Sequence, residues 1–187
     1  MKKSLAFLGF CFLALPALAW DLGDLMQDLA KQKSGRARFS EKKYIALLDK
    51  PVASSGELLY VAPDRLEKRT VQPKPELLLL DRDVLTIERG KQKMTLRLTD
   101  YPEALAFVDS IRGTLSGNRA ALERSYGLHL AGSQDNWKLT LLPSDQRIAS
   151  LVVRITVSGS RSQVRTIEYL QADGDRSVMA IEPIDPK

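Results

Sequence analysis

The chain has 187 residues with one cysteine, one histidine, 27% charged residues and a net charge of +5. That length supplies one domain with a sizeable core, and a lone cysteine excludes a disulfide framework. Basic and acidic residues are interspersed, which suits transient contact with an anionic membrane surface and argues against nucleic acid as a partner.

Lys2 and Lys3 precede an apolar run from Leu5 to Leu15, and Ala17-Leu18-Ala19 has the small-x-small pattern of a signal-peptidase site. The run falls short of the roughly 18 to 20 apolar residues that span a bilayer. Residues 1–19 are therefore expected to be a cleaved signal peptide, with Trp20 first in a mature exported chain forming one domain over 20–187. The two leader lysines carry two of the five net charges, which leaves the mature chain at +3. Cys11 follows Leu8-Gly9-Phe10, where the aromatic residue breaks a lipobox. Its removal with the leader leaves no thiolate ligand or cysteine nucleophile.

Asp21 to Ser34 predicts a helix: Leu22, Leu25, Met26, Leu29 and Ala30 recur at helical spacing, Asp21 caps it and Gly35 stops it. From Arg36 to Leu98 the period becomes two, predicting strands near 36–49, 53–61, 65–72, 75–81, 83–89 and 92–98. The breaks fall at Pro51, Pro63, Pro73, Pro75, Asp81-Arg82-Asp83 and Gly90-Lys91, all turn residues. Connections this short imply an antiparallel meander. Asp100 is then placed to cap a helix with Pro102 in its first turn and a stripe of Ala104, Phe107, Val108, Ile111 and Leu115, with Gly113 marking its end. Asn118 caps a shorter helix carrying Ala121, Leu122 and Tyr126, stopped by Gly127. Strands resume near 127–132, 135–143, 148–158, 163–171 and 175–181. Trp137, Leu139 and Leu141 share one face of their strand, as do Leu151, Val153, Ile155 and Val157 in the next. About eleven strands with three helices are too few helices for a parallel βαβ sheet. The fold class is therefore α+β, mainly β: one large curved antiparallel sheet with helices packed into its concave side.

Catalytic signatures are sparse. His129 lies between Leu128 and Leu130, where alternation turns it to the other face of an ordinary strand. The sequence has no Gly-x-Ser-x-Gly elbow, no His-Glu-x-x-His helix and no Gly-rich phosphate loop. Asp173-Gly174-Asp175 reads as a hairpin turn, since the remaining positions of a calcium loop are missing. No enzyme, metal or cofactor is expected.

Four short stretches carry a resemblance. Arg38-Phe39-Ser40-Glu41, Ser55-Gly56-Glu57-Leu58 with Pro63, Leu115-Ser116-Gly117-Asn118 through Leu122 to Tyr126, and Gly174-Asp175-Arg176-Ser177 resemble the LolA-type periplasmic lipoprotein carriers. The similarity is closest to the LolA-related branch associated with lipid or aryl polyene biosynthesis. It implies an incomplete antiparallel β-barrel with an α-helical lid and a hydrophobic cavity that shelters acyl chains between the inner and outer membranes. The cargo would be an acyl chain, a lipoprotein or another lipid, passed by a monomer from an inner-membrane donor to an outer-membrane acceptor. The alternative is a sensor or interaction module of the same fold that recognises lipoproteins or lipids without transporting them.

On this reading the cavity wall comprises Leu58, Tyr60, Leu78, Leu80, Leu85, Ile87, Leu96 and Leu98 from the first half, with Trp137, Leu139, Val153 and Ile155 from the second. The lid contributes Phe107, Val108, Ile111 and Leu122. In the carriers an arginine before the strand-two proline ties the lid shut, whereas Ala62 stands here. Arg65 and Arg69 on the following strand are the candidate replacements for that lid anchor.

Overall fold

The structure is a computed structural model that describes residues 20–184. The expected signal peptide lies outside the described residues.

Helix α1, Leu22–Ala30, opens with a capping box in which the Asp21 carboxylate accepts from the Asp24 amide and the Asp24 side chain accepts from the Asp21 amide. It buries Leu25, Met26 and Leu29. It ends earlier than helical spacing suggests because Ser34 and Gly35 are claimed by a strand ladder opposite Val61 and Tyr60. Six strands follow: β1 Ser34–Tyr44, β2 Val52–Val61, β3 Arg65–Gln72, β4 Glu76–Asp81, β5 Val84–Arg89 and β6 Gln92–Arg97. A 3-10 turn, Leu98–Asp100, leads into α2, Pro102–Leu115, then α3, Arg119–Glu123. The second series is β7 Tyr126–Ser133, β8 Asn136–Pro143, α4 Gln146–Ala149, β9 Val152–Ser160, β10 Gln163–Gln171 and β11 Arg176–Pro183.

All eleven strands form one sheet in the order β6-β5-β4-β3-β2-β1-β11-β10-β9-β8-β7. Each meander pairs with itself, and the antiparallel β1–β11 ladder, from Ala37 opposite Pro183 to Tyr44 opposite Arg176, splices the two. Strands β6 and β7 stand at opposite edges, so the barrel is incomplete and the helices cover its open side.

Several local details differ from the sequence reading, each for a packing reason. Helix α2 runs past Gly113, where an added Cβ would lie 2.7 Å from Leu122; glycine here lets α3 close onto α2. The chain instead reverses at Gly117, with φ +64, the left-handed residue that commonly ends a helix. Asp100 is in the 3-10 turn, Tyr101 precedes α2 without a side-chain cap, and Pro102 occupies its first turn. Tyr126 opens β7 rather than extending α3, and its buried hydroxyl donates to the Ala106 carbonyl at 3.2 Å.

A fourth helix, α4, capped by Asp145, takes up residues expected to start a strand. In β9, Val152 and Ile155 are buried while Val153 and Arg154 between them are exposed. A register shift against Leu170 and Gln171 of β10 accommodates the extra residue, and such a bulge exchanges the faces on either side of it. Among the described residues, no helix is long and apolar enough to cross a membrane.

Candidate functional site

Pairing registers place side chains in rows across the concave face. Ala37, Leu58, Lys68, Leu78, Ile87 and Met94 form one row. Gly35, Tyr60, Leu66, Leu80, Leu85 and Leu96 form the next. Beneath α2 these rows leave a cavity of about 1550 Å³, larger than the roughly 300 to 1,000 Å³ of most small-molecule sites. Its lining follows β1 from Ser34 to Lys43, a distance of roughly 30 Å at strand rise.

The eight first-half residues expected in the wall divide into two groups. Leu58, Tyr60, Leu78, Leu80, Leu85 and Leu98 line the cavity. Ile87 and Leu96 share the face by register but lie toward the β6 edge, outside the lining. From the lid, Phe107, Val108 and Ile111 project into the cavity, joined by Ala104 and Leu115.

The second half differs. Trp137, Leu139 and Ile155 belong to a filled core with Leu25, Met26 and Leu29 of α1, and do not reach the cavity. Trp137 lies so close to Gly159 that an added Cβ there would be 2.4 Å from the indole ring. Leu122 is fully buried against α2 in the same core rather than lining the lid. Val153 is 48% exposed on the opposite face, as the bulge requires. The second-half wall comes instead from Ile167 and Tyr169 of β10 and Met179 and Ile181 of β11, the strands next to β1. Alternation marks these four as one face of each strand; only the strand order shows that they border the empty half.

Charged groups also face this cavity. Glu41 Oε2 accepts from Lys68 Nζ at 2.5 Å and Ser54 Oγ at 3.4 Å, while Oε1 accepts from Ser177 Oγ at 2.5 Å. Burial alone would raise the Glu41 pKa, but the hydrogen bonds from Lys68 and Ser177 and the lysine charge outweigh it and hold the carboxyl below its usual value. The Lys68 ammonium sits 4.8 Å from the centroid of the Phe39 ring. Tyr169 nearby is kept neutral by burial, reinforced by the Glu41 charge, and its ring meets Phe107 edge-on at 5.1 Å. Charged residues within strands ordinarily read as a solvated face, so alternation carried no signal for this cluster.

The lid is tied down by an arginine of its own. Arg112 of α2 donates to the Arg82 carbonyl in the β4–β5 turn at 2.6 Å, pairs with Asp109, and stands 3.9 Å from Asp64 in the β2–β3 turn. Arg65 and Arg69, the candidate lid anchors, pair within the sheet. They alternate with Leu66 and Lys68 onto the convex face and pair with Asp81 at 3.6 Å and Glu67 at 2.9 Å. Tyr60, inside the cavity, has a buried hydroxyl that meets no hydrogen-bond partner among the described residues.

His129 is exposed while Leu128 and Leu130 pack on the core. Asp173-Gly174-Asp175 forms the β10–β11 turn, with the Asp175 carboxylate accepting from the Ala46 amide at 3.1 Å.

A family model described as outer membrane lipoprotein carrier protein LolA-like matches residues 14–181. The chain belongs to the LolA-like family. Members of this family are periplasmic or extracytoplasmic and share a carrier fold. No curated protein matches this LolA-like chain. Among solved structures, a LolA superfamily protein from Nitrosomonas europaea is 11% identical, with 87% of this chain and 93% of that one covered and a TM-score of 0.43. A putative outer membrane lipoprotein-sorting protein domain from Vibrio parahaemolyticus is 10% identical over 86% and 88%, with a TM-score of 0.46. The MucA/MucB complex of Pseudomonas aeruginosa is 12% identical, with 89% of this chain but 58% of that one covered and a TM-score of 0.49. Family membership rests on the sequence match.

Proposed function

We propose that this LolA-like protein is a non-catalytic periplasmic carrier that shelters the acyl chains of a lipoprotein or another lipid between the inner and outer membranes. The observation that carries the reading is the cavity of about 1550 Å³ beneath α2, an empty apolar space where a structural core would be filled. Each methylene moved there from water contributes about 0.8 kcal/mol. A long chain therefore gains on the order of 10 kcal/mol, less the cost of displacing the lid. Leu58, Leu78 and Leu85 on the sheet and Phe107, Val108 and Ile111 on the lid are the contacts proposed for the chain.

Loading and release need contact with a bilayer, and one end of the molecule suits it. Between β1 and β2, Leu47 is 94% and Leu48 52% exposed, flanked by exposed Tyr44 and Val52 and by Lys42, Lys43 and Lys50. Lys43 also lines the cavity, so this apolar, basic hairpin end stands beside it and suits an anionic lipid surface.

The test is native mass spectrometry of the protein isolated from the periplasm, followed by organic extraction and identification of the released molecule. A co-purifying acylated or polyene-bearing lipid is expected. Phe107→Asp and Ile111→Asp should lose it while retaining the wild-type circular dichroism spectrum, because a charge in an apolar cavity is strongly disfavoured. Lipid-free protein that also fails to take up an acylated ligand in vitro would overturn the reading in favour of an interaction module.

A further inference from the structure

Two of the short sequence stretches that mark the family meet in space at one carboxylate. Glu41 of the first accepts from Ser177 of the last, and Phe39 lies against Gly56 of the second. The same Glu41 and Lys68 line both the main cavity and a second recess of about 680 Å³ that contains Lys74, Glu76 and Arg89. The ion pair thus stands where a largely apolar space adjoins a charged one.

Net stability does not by itself require the pair. A partly buried ion pair such as this one is often no better than well-packed apolar residues of the same volume. Both Glu41 oxygens are already occupied by three donors. Lys68 is different: its ammonium has three donors, and Glu41 is its one hydrogen-bond acceptor among the described residues. It therefore has hydrogens left for an acceptor entering from the cavity. The acceptor that fits is uncharged, because the pair is already neutral and a second anion beside Glu41 would be repelled in a poorly screened site.

We propose that the Glu41–Lys68 pair reads the carbonyl at the head of an acyl chain, so that the cavity takes ester- or amide-linked chains in preference to free fatty acids and bare hydrocarbons. This rests on the carrier reading of the same cavity and specifies its cargo. The chain lies under α2, the carbonyl accepts from Lys68, and the polar body to which the chain is attached occupies the second recess.

The experiment is displacement of a neutral hydrophobic dye, N-phenyl-1-naphthylamine, by hexadecane, methyl palmitate and palmitic acid. It uses wild-type protein and the double variant Glu41→Leu with Lys68→Met, which removes both charges without leaving one unpaired. The wild type should bind the ester about tenfold more tightly than the alkane, equivalent to about 1.4 kcal/mol, and more tightly than the ionised acid. The double variant should lose the ester preference, its ester-to-alkane affinity ratio falling to about one. In parallel, the infrared carbonyl band of carbonyl-labelled methyl palmitate should move to lower frequency on binding the wild type, a readout that does not need the variant to fold. Dye binding with equal affinity for ester and alkane, tighter binding of the free acid, an unshifted carbonyl band, or an ester preference that survives in a folded double variant would each overturn this proposal and leave the carrier reading standing. A wild-type protein that binds neither dye nor alkane would overturn both.

Discussion

Gly56 shows how one residue can carry a whole neighbourhood. A Cβ at this position would fall 1.9 Å from the Arg69 carbonyl oxygen and 3.0 Å from the Phe39 ring. Glycine therefore lets β2, β3 and the Phe39 ring close together, and that ring in turn supports the Lys68 ammonium. Gly56→Ala should lower stability by about 1 to 3 kcal/mol through overpacking, read as a fall in Tm by calorimetry. Glu41 makes a second residue-scale prediction. Its folded pKa is held below the usual carboxylate range, burial being outweighed by the hydrogen bonds from Lys68 and Ser177, so its contribution to stability is present above the unfolded-state pKa and is lost as pH falls through the folded pKa. Chemical denaturation from pH 6 down to pH 3 should show a loss of stability that is shallower in Glu41→Gln. An identical slope in both proteins would refute the assignment.

Two elements border the cavity. The α2 lid is anchored through Arg112 to the Arg82 carbonyl and toward Asp64, both in turns of the first meander. Hydrogen bonds involving a charged donor contribute about 1.5 to 3 kcal/mol where desolvated. Arg112→Ala should therefore speed release of a bound acyl fluorophore by at least about tenfold, whereas Arg65→Ala should leave it unchanged because that guanidinium pairs with Asp81 on the convex face. Stopped-flow release rates of the two variants make the comparison. An unchanged rate for Arg112→Ala would rule out the latch. The β1–β2 hairpin end is the other element: Leu47→Glu with Leu48→Glu should reduce co-sedimentation with anionic vesicles while leaving fluorophore binding intact, since neither leucine lines the cavity.

At the scale of the whole molecule, one sheet is used in two ways. Strands β7 to β9 are covered by α1 and α3 and filled by Leu25, Leu29, Leu122, Trp137, Leu139 and Ile155. Strands β1 to β5 with β10 and β11 face empty space beneath α2. Leu139→Ala should cost about 2 to 5 kcal/mol, as a cavity cut into a filled core does. Leu78→Trp should occupy space already empty, weakening fluorophore binding with little change in Tm. The opposite assignment of effects, measured by thermal melts and titration, would mean the two halves had been exchanged.

The sequence by itself determined the kinds and order of most elements. Period-two runs, the proline and glycine breaks and the 102–115 stripe are properties of neighbouring residues, and steric preferences of the local backbone act without reference to the rest of the chain. They put Leu58 with Tyr60 and Leu85 with Ile87 on one face of their own strands, but the unbroken run Leu77 to Leu80 carries no alternation, and its face follows only from pairing with β3 and β5. Which half of that face is covered was decided only when α1 folded across β7 to β9, a contact that depends on the β1–β11 splice between residues more than a hundred positions apart. The β9 bulge turned Val153 outward because its register is set by β10, not by its own neighbours. Glu41 meets Lys68 and Ser177, and Arg112 meets Arg82, across separations that no local pattern records. Local alternation specifies which side chains share a face; only long-range packing determines whether that face becomes a filled core or a cavity.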